Sequence, residues 1–384
     1  MLDFAFTEAQ QEFARVVRTF ALEELAPKYA HWDRTGEFPA EQWRKMGQLG
    51  ITGLCISDAY GGQEADCVTA GIAAEEIARG DFNCGYALIE NCLNGEILRH
   101  AHESVKAKWL PGMARGEHIM AIAVTEARGG SDAAGMQTRA KRHGDEYVLH
   151  GEKSGISMVM PADAVVVFAK TNVNAGARGV SAFLVPTNLP GVSRTPLHDM
   201  GERAIQRGSL FLDDVHVPRD ALIGEEGQGF YLVMNAFDYS RVIIALMCLG
   251  AAEQSLDETI AYVKQRQSFG RALAKFEGVS FPIAEHATML EAARWLSYRA
   301  LWLRDHGLPH AKEAAMVKWW GPKVAVDAIH DCLLLHGHYG YTQDLPLEQR
   351  LRDVIGLEIG DGTAQVSKIV IARELFGREF LPYR

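Results

Sequence analysis

One aspartate near the C-terminal end of the sequence is placed where it could act on a substrate. Asp361 stands between two glycines in the segment 359–365, which reads IGDGTAQ and leads into an apolar stretch with helical spacing. A carboxylate at this position could cap the helix by accepting backbone N–H groups. It could also take a proton from a bound molecule, because the glycines on both sides let that molecule approach the backbone closely. The segment alone leaves both interpretations open.

A second segment combines glycines with small polar side chains. Residues 124–132 read VTEARGGSD and follow a short apolar run that predicts a β-strand. The backbone N–H groups of such a glycine pair could bind a phosphate or a ring carbonyl. An ordinary surface turn would have the same composition, so two interpretations stay open here as well.

Several common catalytic motifs are missing from the sequence. It contains no G-x-G-x-x-G fingerprint, no phosphate-binding P-loop and no G-x-S-x-G nucleophile elbow. The histidine pairs His100/His102 and His336/His338 lack a further cluster of ligand residues, so we expect no metal site. The six cysteines form no C-x-x-C pair, which favours free thiols in a reducing cytoplasm.

Length and composition indicate a folded protein with more than one domain. The chain has 384 residues, of which 48% are hydrophobic and 23% are charged. Its net charge of −10 argues against binding of nucleic acid, and any bound polyanion would need a local basic site. We find no apolar run near the roughly 20 residues that a membrane helix needs. These features predict a soluble, cytoplasmic protein that spans no membrane.

Three blocks follow one another along the chain and predict an α+β fold. Residues 1–120 form a helical domain, in which Thr7 and Gln10 are spaced as a capping box. Residues 121–230 contain short β-branched runs between turn signals, which predict a small antiparallel β domain. Residues 231–384 return to helical spacing, and no regular alternation of strand and helix supports a doubly wound sheet.

One helix prediction in the third block concerns its continuity. Ala311–Leu335 has the composition of a long helix, and the sequence places Gly321-Pro322 in its middle. Glycine and proline together are typical breakers, so an interruption is expected there.

With these segments in hand, nearly the whole chain resembles the acyl-CoA dehydrogenase family of flavoproteins. The family's Thr-Glu-Pro-x-x-Gly-Ser-Asp stretch is matched by 125–132, and its Lys-x-Trp-Ile-Thr segment by 153–157. Its Arg-x-x-Phe-Gly signature is matched by 266–270, and its Glu-Gly-Thr-x-Gln ending by 361–365. The resemblance implies an N-terminal helical domain, a middle antiparallel β domain and a C-terminal four-helix bundle.

The resemblance also implies FAD as the cofactor. The residues that would line the flavin ring are Val124, Thr125, Gly130, Ser131, Ile156 and Ser157. Thr363 and Gln365 would hold the adenosine half. Arg266 and Phe269 would reach the FAD of a neighbouring subunit, with Gly337 near the pyrophosphate, which implies a homo-oligomer, commonly a tetramer. Electron-transferring flavoprotein is the acceptor that the family implies.

For the substrate, the resemblance implies an acyl-CoA thioester. Asp361 would remove the α-proton while a β-hydride passes to flavin N5, and the Asp361 backbone N–H would bind the thioester carbonyl. Asp238 and Arg241 match residues that contact the pantetheine and adenine parts of CoA. Ser131, Gly362 and Glu90 complete the expected substrate contacts.

Two departures from the family pattern bear on the substrate. Most relatives have Glu where this chain has Asp361, which shortens the reach of the base by about 1.5 Å. Branched-chain members with a relocated base have Glu at the position of Ser240, which is no base. An Asp base resembles the alicyclic acyl-CoA dehydrogenases, which act on cyclohexane-1-carboxyl-CoA, and also the nitroalkane oxidases. The Asp238/Arg241 pair favours a CoA ligand, so we expect formation of cyclohex-1-ene-1-carboxyl-CoA.

Other departures leave further alternatives open. A short-chain or branched-chain thioester is a second possible substrate. Asn91, beside Glu90, cannot take a proton, which favours simple α,β-dehydrogenation over formation of a second ring double bond. Gly155 stands where the family usually has Trp, and Glu277 stands where Gln is common. These are either tolerated changes or signs of a wider pocket and a direct reaction with oxygen, and a protein that has lost its flavin is a further alternative.

Overall fold

The structure, a computed structural model, describes residues 5–381. The N-terminal part is helical, and its longer helices begin at side-chain caps. Thr7 and Gln10 form the predicted capping box at the start of α1, and Asp66 and Asp81 cap α4 and α5. The helices are α1 (Glu8–Phe20), α2 (Tyr29–Thr35), α3 (Ala40–Gln48), α4 (Cys67–Gly80), α5 (Phe82–Leu98) and α6 (Glu103–Ala114).

The middle of the chain forms a sheet in the order β6-β7-β3-β2-β4-β5-β8, with β1 paired to β4. Its strands are β1 (Met120–Ala123), β2 (Arg139–His143), β3 (Glu146–Ile156), β4 (Ala164–Lys170), β5 (Val180–Pro186), β6 (Val192–Pro196), β7 (Gly208–Pro218) and β8 (Leu222–Ile223). The prediction of an antiparallel domain is wrong in one respect, because the sheet is mixed. Strands β1 and β2 both run parallel to β4, since longer connections return the chain in the same direction.

The C-terminal part is a bundle of long helices. After α7 (Gly229–Gln265) come the short strands β9 (Gln267–Ser268) and β10 (Arg271–Ala272), then α8 (Glu277–Asp305), α9 (Ala311–Leu335), α10 (Leu347–Gly356) and α11 (Ala364–Phe376). Helix α9 packs against α7, α8, α10 and α11, and it is therefore the central element of the bundle.

Helix α9 continues through the glycine and proline that were expected to interrupt it. A Cβ atom on Gly321 would lie 2.8 Å from the Cβ of Ala245 on α7, so the glycine lets the two helices approach closely. This tertiary contact explains why a typical breaker sequence remains helical here.

Helix α7 is long and apolar enough to cross a membrane by length and composition. This corrects the sequence expectation that no apolar stretch has such a length. However, 72% of its apolar 18-residue window is buried inside the fold, where α4, α5, α8 and α9 pack against it. Helix α7 is the core helix that joins the N-terminal helices to the C-terminal bundle.

Candidate active site

The turn that carries Asp361 connects α10 to α11, and we call residues 357–363 the Asp361 turn. Asp361 has a left-handed backbone with φ 55°, and Gly362 follows with φ 96°. This region costs a non-glycine residue some free energy, although aspartate tolerates it better than most side chains. Asp361 does not cap the helix, because Thr363 does so by accepting from the Val366 N–H at 3.3 Å. The capping interpretation of Asp361 is therefore wrong, and its carboxylate is available for another role.

Two groups contact the Asp361 turn from the long helices. Ser240 on α7 is buried and donates from Oγ to Asp361 Oδ2 at 2.6 Å. Lys318 on α9 is fully buried and donates from Nζ to the carbonyl oxygens of Leu357 and Gly362. Within residues 5–381 no group accepts a hydrogen bond from the backbone N–H of Asp361, so this donor is free to bind a ligand.

The two segments that resemble flavin-binding motifs lie side by side. The Ser154 N–H donates to the Thr125 carbonyl at 3.0 Å, and buried Lys153 donates from Nζ to the Val124 carbonyl at 2.9 Å. Lys153 also pairs with Glu126 at 3.0 Å, although burial lowers the pKa of its ammonium to about 8. These contacts fix the 124–131 loop against the end of β3.

The residues of these two segments differ in solvent exposure, with buried residues behind an exposed loop. Val124, Ile156 and Ser157 are buried and Thr125 is half-buried, whereas Gly130 and Ser131 are exposed. Gly155 lies in a β-bulge with φ 69°, and a Cβ atom there would meet nothing within 4 Å. A tryptophan would be strained at this φ, so glycine leaves open space beside the segment. A planar ring system fits such an open face backed by buried residues.

A polar cluster lies between α5 and the Asp361 turn. The Tyr86 hydroxyl is 3.0 Å from Ser157 Oγ, and Glu90 is one helical turn further along α5. Glu90 is 8% exposed, and its Oε2 has no hydrogen-bond partner among residues 5–381. Burial raises the pKa of Glu90 well above its ordinary value, and the negative charge of Asp361 adds to this effect. Arg207, which pairs with Glu202, is the cation that opposes the shift.

The residues expected to contact CoA form an ion pair. Arg241 donates from Nη1 to Asp238 Oδ1 at 2.7 Å, and the two residues lie on one face of α7. Arg241 is buried, and a Cβ atom on Gly362 would lie 3.9 Å from its Nη2. The structure therefore brings Arg241, Gly362 and Asp361 together, while Asp238 is half-buried at the outer side of the pair.

The residues expected to reach a neighbouring subunit are exposed. Arg266 follows the end of α7, and Phe269 is 94% exposed with φ 50°. Gly337, with φ 62°, follows α9, and the rings of Tyr262 and His336 stack there at 4.2 Å. Thus the ends of α7 and α9 lie together. Gln365 is exposed in the first turn of α11, beside the half-buried Thr363 cap.

Sequence reasoning missed Lys318, Tyr86 and Arg207, which the structure brings to this site. Tyr86 and Lys318 each lie in an apolar stretch, which does not reveal a distant partner, and Arg207 lies in a polar segment that gave no signal. One group of exposed residues, His150, Asp213 and Asp214, has ligand atoms within 4.8 Å of one another among residues 5–381. It lies outside the cluster around Asp361, and it includes neither His100/His102 nor His336/His338, the pairs for which no metal site was expected.

Comparison with known families matches three models to the chain. They are described as the N-terminal, middle and C-terminal domains of acyl-CoA dehydrogenase, and they match residues 7–117, 121–215 and 227–376. The chain is 38% identical to the short-chain-specific acyl-CoA dehydrogenase of Clostridium acetobutylicum, over 98% of this chain and 100% of that protein.

Solved structures agree with this result. The fold is similar to butyryl-CoA dehydrogenase from Megasphaera elsdenii, with a TM-score of 0.93, 33% identity, and coverage of 97% of this chain and 100% of that one. It is also similar to a chain from a structure described as the electron transferring flavoprotein of Acidaminococcus fermentans. There the TM-score is 0.95 with 36% identity, over 98% of this chain and 100% of that one.

The helical domain, the β domain and the helical bundle match one family of flavoproteins along almost the whole chain, and the chain belongs to the acyl-CoA dehydrogenase family. It is an oxidoreductase that uses FAD to dehydrogenate acyl-CoA thioesters. The expectations of the acyl-CoA dehydrogenase fold, of an enzyme and of FAD as its cofactor are confirmed, while the sheet of the middle domain is mixed and not purely antiparallel.

Proposed function

We propose that the acyl group is alicyclic, and that the enzyme converts cyclohexane-1-carboxyl-CoA to cyclohex-1-ene-1-carboxyl-CoA. The observation that carries the proposal is the short base Asp361, held at one carboxylate oxygen by Ser240 at 2.6 Å. A base with one methylene less than Glu needs an α-carbon that comes closer to the backbone turn. A ring attached at the α-carbon fills a wide pocket and brings that carbon toward the base.

In this proposal Asp361 performs the proton transfer. One carboxylate oxygen accepts from Ser240, and the other, Oδ1, would accept the α-proton. The free Asp361 N–H would donate to the thioester carbonyl, where negative charge develops as the proton leaves. Bound FAD supplies the acceptor for the β-hydride.

Residues of both flavin segments would hold the cofactor. The residues proposed for the ring are Val124, Thr125, Gly130, Ser131, Ile156 and Ser157, supported by the contacts between the two segments. Thr363 and Gln365 would bind the adenosine half. Arg266, Phe269 and Gly337 would serve the FAD of a second subunit in a homotetramer, and their exposure supports this assignment.

The substrate contacts follow from the same cluster. Asp238 and Arg241 would bind the CoA portion, with Ser131 and Gly362 beside the thioester. Buried Glu90 would line the acyl pocket, because its unpaired oxygen and the charge of Asp361 belong to one cluster. Electron-transferring flavoprotein is the proposed acceptor, and the cytoplasm the proposed location. We also propose that the N-terminal helical domain spans residues 1–120, the middle β domain 121–230 and the C-terminal helical bundle 231–384.

A short-chain thioester is the second candidate substrate. It is favoured by the 38% identity to a relative that is specific for short chains and by the similarity to a butyryl-CoA dehydrogenase. A straight chain is narrower than a ring, so this alternative requires the Asp361 turn itself to approach the α-carbon.

Anaerobic reduction of the enzyme-bound flavin distinguishes these candidates. The oxidised enzyme is mixed with cyclohexane-1-carboxyl-CoA, butyryl-CoA, isobutyryl-CoA or octanoyl-CoA, and loss of the flavin's visible absorbance is followed. We expect the ring thioester to react at least about tenfold faster than the others. Faster reduction by butyryl-CoA would favour the short-chain alternative. Hydrogen peroxide formed from a nitroalkane, without reduction by any thioester, would contradict both.

A further inference from the structure

Lys318 is a fully buried cation at the centre of the helical bundle. Its Nζ donates to the Leu357 carbonyl at 2.7 Å and to the Gly362 carbonyl at 3.0 Å. Within residues 5–381, no carboxylate oxygen lies within the 4.0 Å of an ion pair with this nitrogen. The ammonium is therefore bound by backbone carbonyls, and both of them belong to the Asp361 turn.

A buried ammonium without an ion-pair partner is costly in a folded protein. Burial of Lys318 lowers the pKa of its ammonium to about 8, and the negative charge of Asp361 opposes this lowering. An apolar side chain of similar length would avoid the cost. The presence of lysine at this position points to a task that a charge and two hydrogen bonds perform.

The two carbonyls bracket the residue that must be held. Leu357 is at the beginning of the turn, and Gly362 directly follows Asp361. Between them Asp361 has φ 55° and Gly362 has φ 96°. Aspartate tolerates a left-handed backbone better than most side chains, but the conformation still costs free energy that surrounding contacts must offset. The Lys318 Nζ atom donates to one carbonyl at the start of the Asp361 turn and to another near its end, and it thereby holds the two ends of the turn together. It fixes the Asp361 N–H and carboxylate relative to one another.

We propose that Lys318 is a positioning residue that holds the Asp361 turn in its reactive conformation. It acts on the backbone of the turn, whereas Ser240 acts on the carboxylate. The proposal rests on the assignment of Asp361 as the base. Without the two hydrogen bonds from Lys318 the turn would relax, and the carboxylate and the thioester-binding N–H of Asp361 would no longer face one α-carbon.

The charged and titratable neighbours of Lys318 come from three sides. Asp361 lies on the turn, Cys248 and Arg241 lie on α7, and Glu358 belongs to the segment after α10. The negative charges of Asp361 and Glu358 favour the ammonium, and Arg241 disfavours it, while burial keeps the Cys248 thiol neutral by raising its pKa. Deprotonation of Lys318 would weaken both hydrogen bonds to the turn, so flavin reduction is expected to decline as pH rises through about 8.

The test replaces Lys318 in the full-length holoenzyme. Lys318→Met removes the charge and both hydrogen bonds, and Lys318→Gln keeps an N–H donor without the charge. Lys323→Met is the matched control, because Lys323 lies on the same helix and is exposed in a pair with Asp327. The measurements are FAD content, melting temperature, and the rate and concentration dependence of anaerobic flavin reduction by the best thioester.

We expect Lys318→Met to retain FAD and to reduce the limiting rate about 10²-fold, with a much smaller change in the half-saturating thioester concentration. Lys318→Gln should fall between this variant and the wild type. An α-deuterated thioester should show a larger isotope effect in Lys318→Met, and the decline near pH 8 should disappear from its rate profile. Lys323→Met should match the wild type.

Three results would overturn the proposal. A wild-type limiting rate in Lys318→Met would show that the two hydrogen bonds from Lys318 to the turn are not needed. Loss of FAD or of the folded state in both Lys318 variants would assign the residue a purely structural role. If Asp361→Asn kept full activity, the base assignment itself would fail. If Asp361→Asn is inactive while Lys318→Met is normal, the base assignment stands and only the role of Lys318 is rejected.

Discussion

Ser240 and Asp361 are joined by a 2.6 Å hydrogen bond from Ser240 Oγ to Asp361 Oδ2, across 121 residues of sequence. Ser240 is buried on α7, and its hydroxyl is also 3.4 Å from the carbonyl of Phe237. The bond occupies one carboxylate oxygen and leaves Oδ1 without a partner among residues 5–381. The Asp361 carboxylate is thus held at Oδ2 by a residue of α7, and its Oδ1 is free to accept a proton from a substrate.

Replacing Ser240 by alanine should slow proton abstraction without loss of the fold. A hydrogen bond to a charged group contributes about 1.5–3 kcal/mol, so a roughly 10- to 100-fold lower rate of flavin reduction is expected. Stopped-flow absorbance of the flavin measures this rate. Ser297→Ala is the matched control, because Ser297 is equally buried but donates only within α8. Equal rates in Ser240→Ala and the wild type would show that the bond has no catalytic effect.

Asp361→Asn should retain FAD and lose flavin reduction by at least about 10²- to 10⁴-fold, because an amide cannot accept the α-proton. Asp361→Glu restores the missing methylene, and the thioester panel should then shift toward butyryl-CoA and octanoyl-CoA. Flavin absorbance measures both effects. An unchanged preference in Asp361→Glu would remove the proposed link between the short base and a ring substrate, whatever the rate of Asp361→Asn.

Local sequence signals suffice for some elements of the fold and fail for others. The capping box at Thr7 and the bounds of α9 depend on neighbours in the chain, and both were predicted. The missing interruption at Gly321-Pro322 depends on the close contact with α7, which no local signal reveals. In the same way, the parallel pairing of β1 and β2 with β4 depends on the direction in which the chain re-enters the sheet, which local sequence does not show.

The candidate site shows the same division. Asp361 and the motif residues in 124–131 and 153–157 were predicted as site residues from their order in the sequence, and their roles stay predictions. The contacts of Asp361 were not predicted, since Ser240 and Lys318 lie on helices far away along the chain. Thr363 rather than Asp361 caps α11, because Asp361 takes up a left-handed conformation before the helix begins. Gly362 separates these two polar residues, and the local sequence offers both of them as caps.

The exposed Phe269 gives a test of the proposed subunit arrangement. Its side chain is 94% exposed in one chain, so Phe269→Ala should leave the fold and melting temperature of the apoprotein unchanged. If the ring packs on the FAD of a second subunit, its loss should weaken FAD binding roughly 10- to 100-fold, as expected for an exposed aromatic side chain that becomes buried. Fluorescence titration with FAD and analytical ultracentrifugation measure both properties. Unchanged FAD affinity would argue against this contact.

Glu90 gives a prediction about pH. Burial raises its pKa well above the ordinary 4.5, so the folded state keeps a proton that the unfolded chain releases. The folded enzyme therefore binds more protons than the unfolded chain above about pH 4.5, and this contribution to stability is lost as pH rises toward the folded-state pKa. Glu90→Gln carries no titrating group. Its stability relative to the wild type should increase by up to about 1.4 kcal/mol per pH unit within this window.

Denaturant unfolding of the FAD-bound wild type and Glu90→Gln at pH 5, 6.5 and 8 measures the difference. Glu96→Gln is a control on the same helix, because Glu96 is paired with Arg304 at 2.7 Å. It should be less stable than the wild type at pH 6.5 and 8, since it leaves Arg304 without its carboxylate. A constant stability difference between Glu90→Gln and the wild type at all three pH values would mean that Glu90 titrates normally. Its unpaired oxygen would then be exposed to solvent in the working enzyme, and its place in a closed acyl pocket would be rejected.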